Sequence, residues 1–157
     1  MTTIHPFLWF DTQAEQAAAL YTSLFPDSKV TTITNYPEGA GPQGESVMTV
    51  EFEIAGQRVT ALNAGPHFKF NEAISLYVET RDQAETDRYW NALIADGGEE
   101  SQCGWLKDRF GLSWQIIPEA LPRLMGDKDP ARAARVLAAM FKMRKIIVAD
   151  LEAAYAG

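Results

Sequence analysis

Apolar and polar positions along the chain fall twice into the same arrangement, about 70 residues apart. The first copy begins with Phe7-Leu8-Trp9-Phe10, passes Thr12 and Glu15, and continues through Ala17, Ala18, Tyr21, Leu24 and Phe25. The second begins with Leu76-Tyr77-Val78, passes Asp82 and Glu85, and continues through Tyr89, Trp90, Leu93 and Ile94. Each copy predicts a short strand, a capping box (Thr12 with Glu15, Asp82 with Glu85) and a helix with one apolar stripe. A duplicated strand–helix–strands module is expected, with a space enclosed between its halves.

The remaining pattern fills in both halves. Strand is predicted over 4–10, helix over 12–25 and strand over 29–35. Residues 37–44 hold three glycines and two prolines and form a loop. Between Val47 and Ile54 the chain alternates: Met48, Val50 and Phe52 are assigned to the helix side, Thr49, Glu51 and Glu53 to the other. Ala55-Gly56-Gln57 turns into a strand that ends near Asn63. The second half predicts strand over 73–79, helix over 83–95, short strands over 99–108 and a closing strand over 112–117. Beyond Pro118 the tail has no counterpart in the first half. There Asp129-Pro130 marks a helix start, Ala133, Val136, Leu137, Met140 and Phe141 form a stripe, and a last short helix is predicted over 147–155. The expected class is α+β: a paired βαβββ domain over 1–120, with halves about 4–66 and 72–118, and a helical extension over 121–157.

Composition narrows the function. With 46% hydrophobic residues in 157, the chain can bury a real core. No apolar run reaches the ~18 residues of a membrane span, and the N-terminus does not read as a signal peptide. A single cysteine, Cys103, excludes an intramolecular disulfide and suggests a reducing, cytoplasmic setting. The net charge of −7 argues against a nucleic-acid surface, and neither nucleic acid nor membrane is expected as a partner.

Three segments carry a resemblance. Pro6-Phe7-Leu8-Trp9-Phe10-Asp11, Thr60-Ala61-Leu62-Asn63-Ala64-Gly65-Pro66 and Cys103 to Gly111 are similar to the PhnB-like branch of the vicinal oxygen chelate superfamily. This superfamily contains glyoxalases, extradiol dioxygenases and antibiotic-resistance proteins, and the branch is often labelled 3-demethylubiquinone-9 3-methyltransferase. The resemblance covers about residues 4–118 and implies the duplicated βαβββ fold. It also implies a metal in the cavity, held by His or Glu from the first and last strand of each half. Carried over, those positions fall on His5, Thr60, Ala73 and Gln115. One imidazole and one neutral amide make a poor site, so a divalent metal is disfavoured and no cofactor is expected. The chain shows no glycine-rich strand-to-helix loop of the Rossmann methyl-donor kind.

Period-2 logic assigns the cavity side. His5, Phe7 and Trp9 share it, as do Glu51, Thr60 and Leu62 in the first half and Tyr77 and Gln115 in the second; Asn63 joins them from the family-like segment. Such an inventory suits a small molecule with an apolar or planar body and a few hydrogen-bonding groups; the same aromatics also serve simply to fill a concave sheet face. Glu51 is the candidate general base, because a desolvated carboxylate near Phe7 and Trp9 would have a raised pKa. A solvated strand glutamate is the other reading. The favoured function is a metal-free small-molecule-binding protein. The alternative is an enzyme, either of glyoxalase or dioxygenase type or the methyltransferase of the family label. A homodimer is expected, because a βαβββ module exposes strand edges and the stripe of helix 130–143 needs cover.

Overall fold

The computed structural model describes residues 1–157, which divide into two compact units, Met1–Phe70 and Asn71–Gly157. The first unit contains β1 (Phe7–Phe10), α1 (Ala14–Leu24), β2 (Lys29–Asn35), a 3₁₀ turn (Pro42–Gly44), β3 (Val47–Ile54) and β4 (Gln57–Asn63). Its sheet runs β1-β4-β3-β2, with β1 parallel to β4 and the other pairs antiparallel. Alternation places Val50, Phe52, Val59, Ala61, Leu8 and Phe10 in the core. There α1 presents Ala14, Ala17 and Ala18, whose small side chains let the helix approach closely, and Tyr21, whose ring lies 6.2 Å from that of Phe52. At the start of β3, Val47 rather than Met48 is buried, next to a register shift between Thr34 and Asn35. The β3–β4 turn uses Ala55 (φ 47) and Gly56 (φ 78), and two left-handed residues give the tight hairpin that matches strand twist.

The predicted capping box of α1 does not form. The residue before the helix is Gln13, without a side-chain cap, and the N–H of Ala14 donates instead to Asn63 Oδ1 at 2.8 Å. Asn63 Nδ2 donates in turn to the carbonyl of Val47 at 3.2 Å. One buried amide therefore joins α1, β3 and β4.

The second unit contains β5 (Leu76–Thr80), α2 (Gln83–Ile94), β6 (Glu99–Glu100), β7 (Trp105–Lys107) and β8 (Ser113–Pro118). The order β5-β8-β7-β6, with β5 parallel to β8, repeats the first sheet. Here the local cap is present: Asp82 Oδ1 accepts from the N–H of Glu85, and Glu85 Oε2 accepts from that of Arg81, both at 2.8 Å. The two halves differ for a chemical reason. Phe10 pairs with Asn63 and the equivalent Thr80 pairs with Pro118, which has no side-chain acceptor to lend a helix.

The tail forms α3 (Ala120–Met125), α4 (Pro130–Met140) and α5 (Val148–Ala156). Asp129 caps α4 through the N–H of Ala131 at 2.9 Å, ahead of Pro130. The stripe of α4 was expected to await a partner chain; part of it is used within the unit, while Phe141 stays 62% exposed. Val136 is fully buried with Leu121, Leu124, Met143, Ile146 and Leu151, and Met140 packs beside them. Gln83 anchors the tail to α2, donating to the carbonyl of Ile146 and accepting from the N–H of Val148. No helix is long and apolar enough to cross a membrane.

Candidate functional site

In the first unit, the sheet face away from α1 gathers most of the residues assigned to a cavity. Strand register sets Phe7, Thr60 and Glu51 in one row and Trp9, Leu62 and Thr49 in the next. His5 precedes β1, and its Nε2 lies 3.1 Å from Thr60 Oγ1. Trp9 Nε1 donates to the carbonyl of Gly65, and its ring meets the edge of Phe68 at 4.9 Å. Asn63 departs from this group, since its amide is buried against the start of α1 and fully engaged there. Glu51 has, besides its row neighbours, a partner that the sequence did not suggest. Its Oε2 accepts from Arg58 Nη2 at 2.8 Å, and the side chain is one-third exposed. Arg58 sits on β4, directly across from Glu53, and the cross-strand pairing supplies Glu51 with a counter-charge. A general base there would first have to give up that partner.

In the second unit, Tyr77, Gln115 and Trp105 form a row across β5, β8 and β7 on the face away from α2. Ile117 follows Gln115 on the same face by period 2. Against these the tail sets Leu121, Pro122 and Met125 from α3, and Met140 from α4. The result is a cleft of about 320 Å³, with the free thiol of Cys103 at its wall. Tyr77 and Gln115 were assigned to a pocket from sequence. The tail residues were not, because the tail lies outside the repeat; the i, i+4 spacing of Leu121 and Met125 was the available signal. Two backbone bonds attach the Cys103 wall to the tail: the N–H of Cys103 donates to Met143 O at 2.8 Å and that of Gly104 to Arg144 O at 2.7 Å. Gly104 must be glycine, since at its φ of +83 a Cβ would lie 2.6 Å from Ile117 Cδ1.

The register also corrects one expected ligand position. Phe7 pairs with Thr60 and Tyr77 with Gln115, so the counterpart of His5 is Ser75, not Ala73. The hydrogen bonds repeat as well, since Gln115 Nε2 donates to Ser75 Oγ at 2.9 Å much as His5 meets Thr60. The expected ligand positions thus offer an imidazole and a hydroxyl in the first unit and a hydroxyl and an amide in the second, and neither pair fits a divalent transition metal, which takes imidazole, thiolate and carboxylate donors.

Burial and the charge of Glu79 push the Tyr77 phenol above its ordinary value of 10. It is neutral over the physiological range, able both to donate and to accept a hydrogen bond.

The family model described as 3-demethylubiquinone-9 3-methyltransferase matches residues 2–117. The chain belongs to that family. A PhnB protein of the same description from Bacillus cereus is similar at 31% identity, over 74% of this chain and 99% of its own, with a TM-score of 0.68. Protein PA1353 from Pseudomonas aeruginosa shares the fold at 20% identity and TM-score 0.63, over 76% of this chain and 98% of its own. So does the fosfomycin resistance protein FosX from Listeria monocytogenes, at 16% identity and TM-score 0.54, over 78% and 94%. At these identities the Pseudomonas and Listeria proteins show the shared fold and nothing further. No curated protein matches the chain significantly. The part of the chain beyond the family match, from residue 118 onward, includes α3 and α4, which supply the tail's side of the cleft.

Proposed function

We propose that this PhnB-like protein binds a small, mainly apolar molecule in the cleft of its second unit, without a metal. The cleft itself carries the reading: about 320 Å³ falls in the range of small-ligand sites, and its lining is apolar and aromatic with a few polar groups. A methyl-transfer reading has less support. Both sheets are mixed and four-stranded, whereas Rossmann-type methyl-donor sites sit at the strand-order switch of a doubly wound parallel sheet. The reading includes a homodimer, favoured by the wholly exposed edge strand β2 and by Phe7, Ile33 and Phe68, which are 58%, 53% and 65% exposed. It also includes a reducing, cytoplasmic setting that keeps Cys103 a thiol.

A screen of neutral aromatic and aliphatic compounds by thermal shift, followed by methyl NMR of Met125 and Met140, tests the proposal. A ligand at about 100 times its Kd adds roughly 2.7 kcal/mol of stability. Hits that raise Tm and move both methionine methyls support the cleft. Hits that leave both methyls in place would sink it.

A further inference from the structure

Resting on that reading, we infer that the cleft selects neutral, planar molecules bearing an O–H or N–H donor, with Gln115 as the acceptor and Ser75 as the residue that turns it. A glutamine amide carries one oxygen acceptor and two N–H donors, and which end meets a ligand depends on what holds the other. Gln115 Nε2 is drawn to Ser75 Oγ at 2.9 Å, and Oε1 has no partner within the protein. Gln115 lines the cleft, flanked on its row by Tyr77 and Trp105. A ligand settling between these rings meets a carbonyl acceptor whose orientation is already set, and the Tyr77 hydroxyl beside it.

Charge sharpens the selection. The lining contains no lysine, arginine or histidine. Glu79 follows Tyr77 by two on the same strand face, and its charge reaches the phenol. Lys107, on β7 beyond β8, is committed to Glu72. A carboxylate or phosphate entering the cleft would lose hydration and find no cation, a cost that a neutral donor-bearing molecule avoids. The rest of the lining, two thioether side chains with Ile117 and Leu121, offers dispersion contacts that adapt to a flat ring system.

Three probes of similar shape separate the possibilities: 1-naphthol, 1-methoxynaphthalene and 1-naphthoate. Binding to the full chain is measured by calorimetry, and the site by the Met125 and Met140 methyl signals. The expected result is 1-naphthol about tenfold tighter than its methyl ether, the effect of one hydrogen bond, with naphthoate weakest. In Gln115→Leu the ratio of naphthol to ether should fall to about one while the ether binds as before. Ser75→Ala keeps the sheet's polarity at Gln115 and should lower the same ratio by releasing the amide. Equal binding of naphthol and ether at the methionines, preference for naphthoate, or an unchanged ratio in both variants overturns the inference and leaves the cleft standing. Failure of all three probes to move the methionine signals overturns the binding site as well.

Discussion

Asn63 and Ala14 are 49 residues apart in sequence, yet the Asn63 side chain accepts the N–H of Ala14 at 2.8 Å and so caps α1 from the end of β4. The same amide holds the Val47 carbonyl, so the start of α1 and the start of β3 depend on one buried group. Replacing it with leucine leaves two buried backbone groups without partners. Asn63→Leu is expected to lower stability by about 2–6 kcal/mol, from ~1–3 for each orphaned group. Asn63→Asp, which keeps the acceptor and loses the donor, should cost less. Denaturant unfolding of both variants checks the order; a leucine variant as stable as wild type would refute the role.

Tyr77 gives a pH dependence with a definite sign. Its folded pKa is raised, so the folded protein holds the phenol proton more tightly than the unfolded chain. This contribution to stability is complete below about 10 and is lost as pH rises through the folded value. Tyr77→Phe should therefore show a shallower fall of stability with alkaline pH than wild type. Parallel alkaline unfolding curves for the two proteins would count against the assignment.

Metal content follows from the donor set. Untagged protein should contain well under one zinc, nickel, manganese or iron per chain, and chelator should leave its Tm unchanged. His5 pairs with Thr60, and changing it to alanine should cost no more than about 0.5–1.5 kcal/mol, the worth of one hydrogen bond. About one metal per chain, lost in the His5 variant, would restore metal-dependent chemistry.

Self-association is the expected way to cover the open face and edge strand of the first unit. Sedimentation equilibrium should give twice the 17.4 kDa chain mass at tens of micromolar, and Ile33→Glu together with Phe7→Glu should shift it toward monomer. A wild-type monomer under these conditions would remove the dimer from the proposal.

What the sequence determined by itself was periodic or local. The alternation of β3, the alanine face of α1, the Asp82–Glu85 cap and the repeat at an offset of about 70 are written within a few residues of one another, so the two four-stranded sheets and their helices were legible. Period 2 also put Tyr77 and Gln115 on one face, because side chains on neighbouring strands cannot change sides without slipping register. Tertiary structure decided the rest. Thr12 and Glu15 have the spacing of a cap, but Asn63 arrived from β4 and took the bond instead. Glu51 read as a desolvated carboxylate near Phe7 and Trp9 or as a solvated strand glutamate, and the hairpin brought Arg58 within 2.8 Å of it. The tail's stripe called for a partner, and its own neighbouring helices covered Val136 and Met140 of it while closing a cleft over β8. In each case a spacing along the chain states what a side chain can bond, and only the folded path of distant segments selects which of the available partners comes within reach.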